Sequence, residues 1–483
     1  MVEFLIFSQK NERIYSMKKD VVVIGAGCAG MVAALEAQVQ GAEVVIIDRG
    51  PIGIGSNSAL SNGVFAGPTM HYSPEEYIRD TIQTGKEINC ELLVRLMAKE
   101  APHAFSLLRS LGIELVELAR NYVIKSPCPE LIPGVTLVRV LAERIKNLRG
   151  VDKLTGLYVT EILKNSGEVF GVRGFDRAGE DAVIYAPTVV LASGGAAAIY
   201  LRSDNQKGIM GQGYYLAAKA GLDLWDMEFV QFYPFVIAEP GLPSFLLYPP
   251  YPKEARLLDA DGKDILKKYD IDNPNEAILT RRDEFSTVLF EECLRGPLYM
   301  DYRSVPDSAW ERHPLSLLRR MKFDFRSKLF AVSPAAHFFI GGVRIDEEGQ
   351  TSLPGLFACG EVAWGLHGAN RMGGNALTEC IVFGRIAGRN AAKYAFIHHR
   401  SSSNLGRLSE GLSRHRSSNQ RMLGELRRRI REIAWRYAGV VRSEREMREG
   451  LTKLTDLEME LKTIVPQTVS ERRLWWDLTS AVF

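Results

Sequence analysis

The sequence predicts an α/β protein organised around a Rossmann-like domain and ending in a helical region, on three observations. Residues 20–24, DVVVI, are a largely β-branched run that breaks at once into Gly25, Gly27 and Gly30. Residues 43–47 form a second strand-like run that ends in an acid, Asp48. Residues 422–461 contain no proline and carry apolar residues at helical spacing.

The first run has the composition of a strand buried on both faces of a parallel sheet. Gly25 permits the tight turn after it, Gly27 lets a pyrophosphate approach the backbone, and Gly30 with Ala34 lets the following helix lie close to the sheet. The N–H groups at that helix start then face the phosphates. Asp48, about 20 residues on, is placed to accept hydrogen bonds from an adenosine ribose. Strand, glycines, helix, strand and acid in register predict nucleotide binding, with FAD and NAD both open at this point. Residues 49–67, RGPIGIGSNSALSNGVFAG, are a small-residue loop that lets backbone lie against a flat ring system. Residues 189–195, VVLASGG, repeat the pattern of a buried strand running into glycines.

Composition bounds the rest. The 483 residues are 46% hydrophobic and 24% charged, enough for about three compact units with buried cores. Sixty Lys and Arg face 58 Asp and Glu, so the basic excess that marks a nucleic-acid binder is absent. The basic stretch at 407–436 is mixed with Glu and Leu and reads as a solvated helix face. Six single cysteines, without CxxC spacing, suggest reduced thiols and no cluster or metal within the chain. The apolar run 2–7 is shorter than a signal-peptide core, and no segment reaches the length of a membrane span, so a cytoplasmic protein is expected. Residues 1–16 read as an extension ahead of a first strand starting at Met17.

The remaining motifs converge. SPAAHFFIGG at 333–342 is followed by ACGE at 358–361, HGANR at 367–371 and GGNAL at 373–377. From about residue 21 to 388 the chain resembles the flavoprotein subunits of the succinate dehydrogenase and fumarate reductase family, which includes L-aspartate oxidase. The resemblance implies FAD as cofactor and a Rossmann-like FAD-binding domain at 17–232 and 341–395. It also implies an inserted α+β capping domain at 233–340 and a helical region at 396–483. The cofactor would contact Gly25, Ala26, Gly27, Cys28, Ala29 and Gly30, then Asp48 and Arg49, then Ser56, Asn57, Ser58, Ser61, Asn62 and Gly63 of the loop. Ser193, Gly194, Gly195, Asn205, Gly360 and Glu361 would follow, with Asn375, Ala376 and Leu377 opening a helix aimed at the isoalloxazine. Membrane-bound members attach FAD through a histidine in the loop; Asn57 stands at the matching position, which implies non-covalent FAD.

The same resemblance implies a hydride moved between flavin and one carbon of an activated carbon–carbon bond, with a proton moved at the other. His337 and Arg371 match the residues that bind a substrate carboxylate, a task suited to the planar fork of arginine. Arg282, with Asp283 as a relay, matches the proton donor, and Arg281 competes by one position.

Two elements depart from the family. An FHPT-like motif reads QFYP, placing Tyr233 where a histidine is expected, and a TEAVRGEG-like segment reads LLYPPYPKEARLL, placing Tyr248 and Tyr251 near the second carboxylate site. Glu254 and Arg256 are displaced alternatives. A small organic acid with a larger or less anionic far end is therefore expected rather than plain fumarate or succinate. An amino- or hydroxy-acid oxidase and an electron-relay subunit remain alternatives. An RxESRG-like C-terminal segment is also missing, which puts a standard iron–sulfur partner in question and leaves another electron-transfer partner open.

Overall fold

The computed structural model describes residues 15–128, 130–312, 314–398 and 419–483. Five parallel strands form the central sheet in the order Leu356–Ala358, Thr188–Leu191, Val21–Ile24, Val44–Asp48, Val151–Thr155. All four residues of Val21–Ile24 are buried, as a strand covered on both faces requires. The helix Cys28–Val39 follows it and packs against Asn375–Ile397. That approach depends on absent side chains: a Cβ on Gly388 would sit 2.2 Å from the Ala33 carbonyl oxygen, and one on Gly384 would sit 2.7 Å from that of Ala29. The contact joins the two sequence segments of the sheet domain, so both ends of the future site rest on one core.

A second sheet, in the order Tyr15–Lys18, Asp181–Tyr185, Glu168–Phe175, Tyr158–Asn165, flanks the first. Tyr15 and Ser16 pair with Ala182 and Val183, so the first strand begins ahead of Met17 and these two residues belong to the fold rather than to an extension. Residues 1–14, including the apolar run 2–7, lie outside the described residues.

The inserted segment forms an antiparallel sheet in the order Val230–Ile237, Phe330–Phe339, Leu298–Asp301, Arg256–Leu258, with the helix Arg282–Arg295 packed on it. Its two long strands join two cores. Phe232 and Phe339 belong to the core of the central sheet, whereas Tyr233 and Val332 belong to a separate core that includes Phe235, Leu289 and Phe330. These strands carry residues from the cap directly to the edge of the sheet domain.

Three C-terminal helices, Gln420–Tyr437, Glu444–Lys462 and Val469–Val482, share a core of Leu423, Leu426, Ile430, Leu457, Leu461 and Leu478. The proline-free stretch is thus two helices with a turn at 438–443. In the described part of the basic stretch, Arg428 and Arg429 pair with Glu425, Glu432 and Glu460; residues 407–418 lie outside the described residues. No helix among the described residues is long and apolar enough to cross a membrane.

Candidate active site

Where the central strands end, a cleft of about 1000 Å³, measured out to its open mouth, runs along the sheet. Gly25 to Ala29, Asp48, Arg49, Ser56, Asn57, Ser58, Ser193, Gly194, Gly360 and Glu361 line it. Gly25 takes a φ of +103°, and a Cβ there would sit 2.3 Å from the Ala192 carbonyl oxygen, so only glycine makes this turn. Asp48 braces the turn by accepting from the N–H groups of Ala26 at 2.8 Å and Gly50 at 2.7 Å, while burial holds its carboxyl above the usual range. The Ser193 hydroxyl is buried on the cleft wall with no partner among the described residues, the mark of a site shaped for a polar ligand. The glycine turn, the helix start, the acid at the second strand's end and the orphan hydroxyl all fit FAD.

Other expected contacts do not line the cleft but support it. Gly30 and Gly195 are spacers: a Cβ on Gly30 would meet the Gly25 carbonyl at 1.9 Å, and one on Gly195 would meet Glu361 Oε1 at 2.1 Å. Asn205 donates to the His337 carbonyl at 2.8 Å and accepts from Asn57 at 2.6 Å, tying loop to cap strand. Ser61 donates to Ser58 O and accepts the Gly134 N–H at its own carbonyl, holding the loop with Asn62 and Gly63 against the helix Pro133–Lys146. Asn375 starts its helix as expected, yet its side chain accepts from Tyr77 at 2.9 Å and reaches Thr81 at 3.3 Å, so it anchors the helix start instead of presenting an amide to the cleft. Leu377 is buried and Ala376 half-buried beside it.

Beside the cleft, the cap and the sheet domain meet at a cationic cluster. Arg282 opens the helix Arg282–Arg295 and turns inward, its guanidinium donating to the Arg371 carbonyl at 2.8 Å. Arg281 is exposed and faces Glu284 at 3.9 Å, which decides between the two arginines in favour of Arg282 as the inward one. Asp283 is exposed one position further round the helix, and this corrects its expected place inside the site. Burial lowers the pKa of Arg282.

Arg371 is buried, donates to Gln231 Oε1 at 2.8 Å, and lies over the Phe338 ring at 4.6 Å; its Nε is unpartnered. Burial and the nearby charge of Arg282 push it down to about 9. Among the described residues neither arginine forms an ion pair, although buried charges are ordinarily paired. Two adjacent cations without an ion-paired carboxylate are a receptor for an anion.

His337 stands at the other side on the strand Phe330–Phe339, its Nδ1 2.6 Å from Asp204 Oδ2. Asp204 thereby orients the ring and directs Nε2 away from itself. The Tyr233 ring lies 5.7 Å from that of His337, and burial pushes its phenol up to about 12, so it is neutral and able to donate. Tyr248 and Tyr251 behave differently from expectation. Tyr248 donates its hydroxyl to Leu60 O at 2.6 Å, fastening cap to loop, and Tyr251 donates to Leu247 O at 2.5 Å within the cap core. Their hydrogens are committed to backbone, which corrects the view of them as free donors to substrate. Sequence reasoning missed Asp204 and Gln231, which neighbour the expected Asn205 and Tyr233. It also missed Trp476 and Asp477 on the cleft wall, for which the linear sequence carries no signal.

Glu361 lies between cleft and cluster, accepting the Phe339 N–H at 3.0 Å. Burial pushes it up to about 7 from an ordinary 4.5, against the pull of that N–H and of Arg371. A group that holds its proton more tightly when folded contributes stability below pH 4.5 that is lost as pH rises through about 7, amounting to at most about 3 kcal/mol. Urea unfolding of the cofactor-free protein at pH 5 and pH 8 should show that loss in the wild type and not in Glu361→Gln; an equal loss in both would refute the assignment.

The FAD binding domain family matches residues 20–377, well over half of the chain. A fumarate reductase (CoM/CoB) subunit from Methanothermobacter marburgensis is 31% identical over 93% of this chain and 86% of its own length. The chain belongs to the succinate dehydrogenase and fumarate reductase flavoprotein family. It is an FAD-dependent oxidoreductase. The L-aspartate oxidase of Streptomyces coelicolor is 30% identical to this flavoprotein over 93% of this chain and 81% of that one. E. coli quinol fumarate reductase FrdA shares its fold, with a TM-score of 0.81 and 23% identity over 97% of this chain and 87% of the other. The architecture is accordingly an FAD-binding Rossmann-like domain, a capping domain and a C-terminal helical domain.

Proposed function

We propose that this flavoprotein reduces or dehydrogenates a carbon–carbon bond next to a carboxylate, on an organic acid whose far end is larger or less anionic than that of fumarate. The observation that carries this reading is the pair of half-buried Arg282 and buried Arg371: neither forms an ion pair among the described residues, and the pair faces an aromatic side containing Tyr233. Bound FAD supplies the hydride acceptor or donor. Arg371 and His337 hold the substrate carboxylate, Gln231 and Asp204 keep those two side chains in place, and Arg282 moves the proton at the neighbouring carbon. Arginine serves that role only where burial works against its charge, as it does here. The relative from Methanothermobacter, a fumarate reductase, supports the reaction class.

Within the same reading, the FAD-binding domain spans 17–232 and 341–395, the cap 233–340 and the helical region 396–483, and the protein works in the cytoplasm. Electrons pass to or from an iron–sulfur or other electron-transfer partner.

The test is anaerobic. With the bound flavin reduced, fumarate and a panel of larger mono-carboxylate enoates are added separately while oxidised-flavin absorbance is followed. Return of that absorbance with larger acids alone is expected; return with fumarate alone would defeat the altered far end. The L-aspartate oxidase relatives support a second reading as an amino-acid oxidase, for which rapid reoxidation by air and reduction by an amino acid would be decisive.

FAD is held without a covalent bond in this reading, because the amide of Asn57 is no nucleophile and is spent on Asn205 and the Gln206 N–H. Acid precipitation should release all flavin into the supernatant; yellow colour retained in the washed pellet would show attachment.

A further inference from the structure

The cleft has a wall that comes from the far end of the chain. Trp476 and Asp477, on the helix Val469–Val482, line it together with the glycine turn and Asp48. Their place along the cleft follows from local bonds. The Gly156 N–H donates to the Asp48 carbonyl at 2.7 Å, which sets Tyr158 beside the ribose acid, and Arg49, the next residue after Asp48, reaches Asp477 Oδ1 at 3.0 Å. Asp477 therefore stands at the adenosine end.

Asp48 meets only part of what that end needs, since each of its oxygens already accepts a backbone N–H. Asp477 Oδ1 takes both Arg49 and Gln212, the latter at 2.6 Å, while Oδ2 has no hydrogen-bond partner among the described residues. The Asp477 side chain is largely shielded, at 17% exposure, and its second oxygen is available to accept from hydroxyl groups. Trp476 adds a buried aromatic surface. The Nε of the neighbouring Arg473, whose guanidinium lies 5.0 Å over the Tyr158 ring, is also buried without a partner. The helix is firmly seated: Arg472 bonds Asp181 at 2.9 Å and the Gly179 carbonyl at 3.0 Å, and lies 4.1 Å over the Phe175 ring.

We propose that the C-terminal helix completes the adenosine half of the cofactor site, with Asp477 accepting hydrogen bonds from ribose hydroxyls and Trp476 closing an apolar wall. A purely structural Arg49–Asp477 pair would leave nucleotide affinity unchanged, and this separates the two roles.

The experiment uses the full chain stripped of flavin and ADP as the probe, because ADP carries the adenosine half alone. Asp477→Asn should weaken both ADP and FAD about ten- to a hundredfold, the loss of hydrogen bonds to a charged group, with the unfolding midpoint of the stripped protein unchanged. Undiminished ADP affinity would overturn the proposal. Hydrogen exchange on the unmutated protein decides the matter even if the variant does not fold. ADP should slow exchange at residues 469–482 as well as at 25–30; slowing at 25–30 alone would equally overturn it.

Discussion

Arg371→Met lowers kcat/KM for the acid substrate by about a hundred- to ten-thousandfold while leaving flavin content and thermal stability intact. The functional loss follows from removing a buried cation that pairs with a substrate carboxylate, an interaction worth about 3–5 kcal/mol when one partner is deleted. Stability should hold, or rise, because among the described residues this guanidinium has only Gln231 and the Met372 carbonyl as hydrogen-bond partners, lies next to Arg282 and leaves Nε unbonded. Methionine keeps the volume and the contact with Phe338 without the uncompensated charge. Arg371→Lys should recover only part of the activity, since an ammonium cannot form the two parallel bonds of a guanidinium. Spectral titration of the bound flavin with carboxylates checks this directly. Unaltered carboxylate affinity in Arg371→Met, or a sharp fall in its melting temperature, would show that Arg371 belongs to the scaffold.

Arg282→Ala lowers kcat by about a hundred- to ten-thousandfold, the range of a lost general acid or base, with carboxylate affinity much less affected. Asp283→Asn changes either quantity by no more than a few-fold, because Asp283 is exposed and Arg282 points the other way toward the Arg371 carbonyl. Arg282→Lys is the informative intermediate. Lysine ordinarily titrates near 10.4, below arginine, and burial at this position works against the charge further. If residue 282 is the proton donor, the alkaline limb of the kcat profile should move to lower pH in the lysine variant. An unmoved limb, or equal losses from Arg282→Ala and Asp283→Asn, would sink the assignment.

The cofactor end of the molecule was legible because its information is local. Residues 20–48 hold the strand, the turn, the helix and the acid within one βαβ unit, and backbone geometry converts that spacing into position. The glycines at 30 and 195 stood out as well, but as cofactor contacts, whereas the structure makes them spacers whose missing Cβ atoms leave room for Gly25 and Glu361. The tyrosines show the limit of the same method. Tyr233, Tyr248 and Tyr251 differ little in sequence context, yet one stands beside His337, one fastens the cap to Leu60 and one is spent inside the cap core. Hydrogen-bond partners of a hydroxyl are set by what folds back onto it, which spacing does not encode.

The sequence by itself determined the α/β class, the glycine turn, the acid that ends the second strand and the cluster of motifs that carries His337 and Arg371, since each is a short-range pattern with its own backbone consequence. Only the tertiary structure decided that Arg282 rather than Arg281 turns inward, because one residue rotates a helix by about 100° and the cap contact sets the phase. It alone brought Arg282 to Arg371 across 89 residues and Asp477 to Arg49 across 428. Such pairs depend on how separately folded cores dock, and docking is a property of surfaces that no local run of residues contains.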